Sequence, residues 1–199
     1  MILNLPASRP VLWWLYTAAC LSFLTTLALP YVGEEAVYTI TSLEMKLSGD
    51  FFVTTLYGTN YSRPPLLNWL IIAFANVLGW DHVLLASRIV TAGATVTTGL
   101  VLAWLVFHLT RNDNFAAFSA VVLLTGDALF YRGWLAYSDS LFTLCVFGAI
   151  ACLWVCVHER RQALVLLAVA ALTCGFLAKV QTAYVFYGVA ALALSCNRE

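Results

Sequence analysis

An all-α polytopic membrane domain is the fold this sequence predicts, and three observations carry that expectation. The 199 residues are 62% hydrophobic and only 10% charged, against about 45–50% apolar and roughly 25% charged in an ordinary soluble domain. Apolar runs near or above the roughly 17 to 20 residues needed to cross hydrocarbon recur along nearly the whole chain, leaving no room for a soluble domain of useful size. The formal net charge is zero and the basic residues are scattered, so the electrostatic footprint that nucleic acid requires is missing. Residues 1–199 therefore read as a single transmembrane domain, with about six transmembrane helices plus interfacial helices in a long first outer loop.

The first run, residues 11–30, reads as a retained span rather than a cleaved leader. It is long, it carries Trp13, Trp14 and Tyr16 where an interface would lie, and no Ala-x-Ala-like site follows it. Six further runs cover 64–80, 83–107, 115–131, 139–157, 163–178 and 183–196. Were all seven to cross, the short basic turns would not all lie on the cytoplasmic side. One run is therefore expected not to cross, and "RPPLLNWLIIAFANVLGW" is the best candidate, because it opens with two prolines and holds Asn68 and Asn76. It is expected to lie in, or dip into, the outer interface. Residues 31–82 then form the long first outer loop and residues 132–138 a short second one. Arg9, Arg111, Arg160, Arg161 and Arg198 fall on the cytoplasmic side, and Glu34, Glu35, Asp50, Arg63, Asp81, Arg132, Asp139 and Lys179 on the outer side.

A loop as long as 31–82 is expected to be structured. From Glu35 to Leu47 the apolar residues Val37, Ile40, Leu43 and Leu47 recur at helical spacing, with Thr39, Ser42 and Lys46 elsewhere on the wheel. That pattern predicts a helix lying on the membrane surface, ended at "LSGD" by Gly49 in a positive-φ position. "FFVTTLYGTNY" predicts a short extended piece. In the 83–107 run, Thr91, Thr95 and Gly99 form a stripe of small residues, a signal of close helix packing. The six cysteines all fall inside apolar runs without CxxC or Cys/His zinc spacing, so they read as small buried hydrophobes. The three histidines each end a run and read as interface residues.

Few charges remain, and each is weighed alone. Glu34 and Glu35 are adjacent carboxylates at the bilayer surface, able to hold a divalent cation or to take a proton from a hydroxyl. The competing reading makes Gly33 a helix cap with two acids in the first turn, favoured by the macrodipole. Arg63 stands before the rigid Pro64-Pro65 step, where a guanidinium suits bidentate phosphate binding; a snorkelling arginine or a structural ion pair is the alternative. Arg132 and Asp139 bracket the second outer loop in "FYRGWLAYSDSLF". An aspartate entering a membrane helix is costly unless paired or functional, although Ser138 or Asp139 capping the next span would also account for it. Asp127 and Arg88 raise the same question, with pairing to outer-face charges as one answer. Lys179, at the end of its run in "GFLAKVQTAY", reads as a snorkelling cation, with a functional role as the alternative.

The order and sidedness of these motifs resemble the polyprenyl-phosphate-dependent membrane glycosyltransferases of GT-C fold, especially bacterial protein O-mannosyltransferases and lipid A aminoarabinose transferases. The resemblance runs over nearly all of the chain. The family's first-loop Asp-Glu followed by Tyr is matched by Glu34, Glu35 and Tyr38, with Glu where Asp is usual. Its acidic-Lys-Pro-Pro motif is matched by Ser62-Arg63-Pro64-Pro65, its second-loop Arg and Asp by Arg132 and Asp139, and the Lys of its Leu-Thr-Lys-Gly-Pro by Lys179, with Val180-Gln181 in place of Gly-Pro.

The resemblance implies a GT-C type module that moves a sugar from a polyprenyl phosphate to a hydroxyl acceptor, lipid or protein/glycan, with inversion. Glu34 would be the general base, Glu35 would support it or a divalent cation (Mg, Mn or Zn) together with Asp139, and Asp139 would orient acceptor, metal or donor. Arg63, Arg132, Lys179 and Tyr38 would bind substrate, with Arg63 and Lys179 on the leaving phosphate. It also implies the bacterial inner membrane, with the site facing the periplasm. Members of that family are two to three times longer, so the sequence is expected to be an N-terminal half, with a second chain as one source of the remainder. The rival readings are an inactive truncated homologue or partner subunit that binds polyprenyl phosphate without turnover, and a small transporter. The last is disfavoured because the charges gather at one face instead of lying deep within several spans.

Overall fold

A computed structural model of the chain describes residues 9–196; Arg198 and the side chain of Arg9 lie outside what it describes. The described residues are all-α apart from one hairpin of two-residue strands. Helix α1 (Arg9–Ser22) runs into the short α2 (Leu24–Leu27), and α3 (Glu35–Ser48) follows. Strands β1 (Thr55–Leu56) and β2 (Thr59–Asn60) pair antiparallel, with Thr55 opposite Asn60. Helix α4 (Leu66–Leu78) leads through a 3₁₀ turn at Trp80–His82 into α5 (Val83–Thr110). Then come α6 (Asp113–Thr125), α7 (Asp127–Arg132), α8 (Ser138–Glu159), α9 (Ala163–Lys179) and α10 (Thr182–Cys196).

Three stretches among the described residues are long and apolar enough to cross a membrane: Pro10–Leu27, Trp80–Thr110 and Ser138–Glu159. Four more apolar helices, α4, α6, α9 and α10, are shorter. The expected run 115–131 is broken at Gly126, whose ψ of 137° ends α6 and starts α7. The first run is likewise interrupted near Phe23.

Helix α5 is the centre of the bundle, packing against α4, α6 and α8, while α8 also packs along α9. Its contacts use small residues: Ala92, Ala103, Ala116 and Ala120 are buried between α5 and α6, as expected where no hydrophobic force separates lipid from helix and close approach supplies the attraction. The stripe Thr91, Thr95 and Gly99 does more than permit packing. Thr91 Oγ1 donates to the carbonyl of Trp134 at 3.1 Å and Thr95 Oγ1 to that of Gly133 at 2.6 Å, so α5 grips the backbone of the second loop. Gly99 leaves room for Tyr16, whose hydroxyl donates to Val96 O at 2.5 Å; a Cβ on Gly99 would lie 2.8 Å from the Tyr16 hydroxyl oxygen.

Helix α3 forms where the periodicity places it and ends at Gly49 with φ of 73°, as expected. Its polarity is inverted: Glu35, Tyr38, Thr39, Thr41, Ser42 and Met45 face inward, whereas Leu43 and Leu47 are exposed. The inward polar groups are satisfied across α4, where Asn68 Nδ2 lies 2.7 Å from Thr41 Oγ1 and 3.0 Å from Ser42 Oγ. Among the described residues no buried side-chain nitrogen or oxygen lacks a partner, which is the condition for keeping polar atoms in an apolar bundle. The expected extended piece is the hairpin, turned by Tyr57 (φ 54°) and Gly58 (φ 73°); left-handed central residues match the twist of a two-residue hairpin.

The two basic turns lie at one end. Glu159 accepts from Arg111 at 2.5 Å and from Arg161 at 3.1 Å and contacts His108 Nδ1, joining the α5–α6 and α8–α9 turns. Arg111 and Arg160, with φ of 53° and 55°, occupy the left-handed C-cap positions more often given to glycine.

Candidate functional site

The opposite end is organised by residues 133–139, between α7 and the first turn of α8. Nearly every group in this segment is used. The Gly133 and Trp134 carbonyls are held by α5, the Trp134 ring lies 5.0 Å from the Arg88 guanidinium, and the Ala136 amide donates to Glu35 Oε1 at 3.0 Å. The Tyr137 hydroxyl accepts from the Glu34 amide at 2.9 Å, and Ser138 Oγ lies 3.5 Å from the Tyr38 hydroxyl. The first and second loops are thereby clamped together.

The adjacent acids have opposite fates. Glu35 is fully buried against the equally buried Arg88, which donates from Nε to Oε1 at 2.9 Å and from Nη2 to Oε2 at 2.6 Å. Arg88 also donates to the carbonyls of Thr26 (2.8 Å), Leu29 (2.6 Å) and Pro30 (2.8 Å), tying the end of the first run to α3 and α5. The Val32 amide adds a fourth donor to Glu35 at 2.9 Å. Burial pushes the Glu35 carboxyl up, but the Arg88 guanidinium and the Ala136 and Val32 amides outweigh it and hold the group below its usual range. Arg88, for which a charged partner was raised from sequence, finds it in Glu35 of the first loop.

Glu34 occupies the N-cap position of α3, one residue later than the expected cap at Gly33, and its side chain is exposed with no partner among the described residues. It is positioned through its backbone. Gly33 has φ of 60° and sits so tightly under the Tyr137 hydroxyl that no Cβ fits, which fixes where Glu34 leaves the chain.

Beside this pair lies a second chain of contacts. Arg63 is exposed, donates from Nη1 to the Tyr38 hydroxyl at 3.1 Å, and has its guanidinium 5.2 Å from the Tyr61 ring. The Tyr38 and Tyr137 rings are 6.1 Å apart. Asp139 forms an exposed ion pair with Lys179, whose ammonium lies 5.6 Å from the Phe142 ring. Neither Ser138 nor Asp139 caps α8; the N-cap is Tyr137, without a side-chain bond. Glu34, Glu35, Tyr38, Arg63, Asp139 and Lys179 are thus linked through one segment. Arg132, at the end of α7, is exposed with no partner among the described residues and does not join them.

The residues expected to ligate a cation do not suit one. Glu35 already receives four hydrogen bonds and is sealed, whereas Asp139 is two-thirds exposed and engaged by Lys179. Among the described residues no group of three or more His, Cys, Asp or Glu side chains has the arrangement to hold a metal.

Sequence reasoning missed Tyr137 and the Ala136 amide. Tyr137 offered only the signal of an aromatic at the entry of a span, and a backbone amide offers none.

Against known proteins, the family model described as dolichyl-phosphate-mannose-protein mannosyltransferase matches residues 62–198. That match takes in Arg63, Arg88, Arg132, Asp139 and Lys179 and begins after Glu34, Glu35 and Tyr38. An undecaprenyl phosphate-alpha-4-amino-4-deoxy-L-arabinose arabinosyl transferase 2 of Pseudomonas fluorescens (strain Pf-5) is 31% identical, over 73% of this chain and 25% of its own length. The corresponding transferase of Enterobacter sp. (strain 638) is 27% identical, over 65% of this chain and 23% of its own. Another from Pseudomonas fluorescens (strain Pf0-1) is 27% identical, over 78% and 28%. The chain thus spans about a quarter of the length of these curated relatives. No solved structure matches. The resemblance drawn from the motifs is borne out, and on a match covering more than half of its residues the chain belongs to the dolichyl-phosphate-mannose-protein mannosyltransferase family.

Proposed function

We propose that the chain is the acceptor-activating and phosphate-binding module of an inverting membrane glycosyltransferase with a polyprenyl-phosphate sugar donor. One observation carries the reading: the unpartnered Glu34 carboxylate is held by the Tyr137 segment that also anchors Tyr38, with its Arg63, and Asp139, with its Lys179. In this reading Glu34 takes the proton of the acceptor hydroxyl, whose oxygen attacks the anomeric carbon from the face opposite the phosphate. The bond from that carbon to the phosphate oxygen breaks, and the polyprenyl phosphate leaves. Arg63 and Lys179 face the charge that develops on the departing phosphate, with Tyr38 orienting the first and Asp139 the second.

Glu35 acts at one remove, as the counter-ion that positions the α3 N-terminus through Arg88. No step is routed through the divalent cation expected at Glu35 and Asp139, because the Glu35 oxygens are occupied. Arg132 is left for the acceptor or the sugar.

The names of the relatives, which specify an undecaprenyl phosphate-linked donor, support a polyprenyl phosphate here. Their bacterial sources support the inner membrane with the site on the periplasmic side. The acceptor is a hydroxyl of a lipid, protein or glycan, and further protein completes the donor groove. A second reading, polyprenyl-phosphate binding without turnover, is favoured by Glu34 standing where the family pattern has the shorter Asp, since about 1 Å of misplacement costs ~100-fold in rate.

The test is sugar transfer from a radiolabelled polyprenyl-phosphate pool in membranes carrying this chain, compared with Glu34→Gln and Asp139→Asn. Loss of transfer in both variants supports the enzyme. Absence of transfer from every version, with polyprenyl-phosphate binding that Arg63→Ala weakens, supports the second reading.

A further inference from the structure

The first loop carries a surface that this mechanism does not use. Between Asp50 and Arg63 there is no charged residue, and the stretch holds Phe51, Phe52, Val53, Leu56, Tyr57 and Tyr61. Phe52 is 79% exposed and Tyr57 78%, although this is no slack loop. Trp69 Nε1 donates to Phe51 O at 2.6 Å, Thr54 Oγ1 to Arg63 O at 3.0 Å, and Thr55 Oγ1 to Glu44 at 2.5 Å. The Asp50 carboxylate accepts from the Phe52 and Val53 amides at 2.9 and 3.1 Å, so the turn that presents Phe52 is fixed from below.

A braced turn and hairpin that leave two large aromatics mostly exposed would be an unfavourable surface in water. The neighbouring helix tells what covers it. Helix α3 turns Glu35 and the hydroxyls of Tyr38, Thr39, Thr41 and Ser42 inward and exposes Leu43 and Leu47 beside Lys46 and Ser48, so its leucines lie outward, the reverse of a helix facing water. Helix α3 packs against β1, the Phe52 ring meets Trp69 edge-on at 5.9 Å, and Lys46 lies 4.1 Å over the Trp80 ring. Aromatic rings with a polar edge, together with a basic residue over a ring, are the composition of a membrane–water boundary.

We propose that the Asp50-held turn at Phe52 and the β1–β2 hairpin after it are inserted into the bilayer leaflet on the side of the candidate site, with Phe52 and Tyr57 among the lipid chains just below the headgroups. The occupant of this surface is phospholipid, not protein. Because Arg63 follows directly on the hairpin, whose backbone Thr54 holds, insertion sets that guanidinium at headgroup depth.

The experiment places 4-trifluoromethyl-phenylalanine at position 52, and separately at 57, of the full chain in phosphatidylethanolamine/phosphatidylglycerol nanodiscs. Fluorine line broadening is then compared between a nitroxide on the upper acyl chain and a water-soluble gadolinium chelate. Greater broadening by the lipid-borne label at both positions is expected. Greater broadening by the chelate would show the hairpin in water, and protection from both would show it covered by protein; either result overturns the proposal. Both side chains are exposed, so substitution leaves the fold intact, and the outcome is independent of whether the chain transfers sugar.

Discussion

Removing the Arg88 guanidinium tests the structural account most directly. Its five hydrogen bonds, two to Glu35 and three to the carbonyls of Thr26, Leu29 and Pro30, join the first span, α3 and α5 at one buried point. Arg88→Met leaves the Glu35 carboxylate buried without its counter-ion, an effect of about 3–5 kcal/mol. Arg88→Lys keeps the charge but has three donors where five bonds are made, so at least two are lost at about 1 kcal/mol each, roughly 2 kcal/mol in all. If the pair were only an ion pair, replacing both partners by apolar residues would be close to neutral. Here Glu35→Met/Arg88→Met still strands three carbonyls and the amides of Val32 and Ala136, each costing about 1–3 kcal/mol where water does not reach. The double variant is therefore expected to stay well below the parent while falling short of the sum of the singles. Equilibrium unfolding in mixed detergent–SDS micelles reads all five proteins: the parent, Arg88→Met, Arg88→Lys, Glu35→Met and the double variant. Arg88→Met within about 0.5 kcal/mol of the parent, the range of an ordinary surface change, would refute the reasoning.

Four further outcomes follow from the same geometry. The folded Glu35 carboxyl is depressed, so its contribution to stability is full above the unfolded value of about 4.3 and is lost as pH falls through the folded value; unfolding measured from pH 7 to 3 should be flat and then decline, less steeply in Glu35→Gln. Glu34→Gln should leave stability within about 0.5 kcal/mol and, in an active assembly, lower transfer by about 10²–10⁴-fold. Tyr137→Phe removes the acceptor of the Glu34 amide and should lower kcat with KM unchanged, at a stability cost of about 1 kcal/mol. Val180 adopts φ 54°, ψ −135°, a conformation costly to a β-branched residue, so Val180→Gly should raise the unfolding free energy by about 1 kcal/mol.

Much of this fold was legible because apolar length and helix punctuation are local properties. The expected runs fall within a few residues of α4, α5, α8, α9 and α10, and Gly49 ends α3 where its position implied. The break at Gly126 was not legible, since an isolated glycine in an apolar run fits a continuous helix equally well. Periodicity located α3, but it could not say that the hydroxyl face would turn inward, because that depends on Asn68, distant in sequence and adjacent in space. The same limit applied at the site. Two neighbouring glutamates look equivalent in a string, and only Arg88, 53 positions from Glu35, separates the sealed one from the open one. Tyr137 was invisible for a related reason: its hydroxyl meets a backbone amide, which carries no residue identity.

That reliance on main-chain groups has a consequence for how such a chain can diverge. The second loop is held in part through the carbonyls of Gly133 and Trp134 and the amide of Ala136, main-chain groups that carry no residue identity. These main-chain bonds do not depend on which side chains Trp134 and Ala136 carry, whereas Gly133 is fixed, because a Cβ there would collide with the Leu129 carbonyl and Thr95, and Tyr137 is fixed by the hydroxyl it gives the Glu34 amide. The clamp is breached by a change to the backbone itself: proline at position 136 would delete a donor to Glu35 that no alternative side chain could replace.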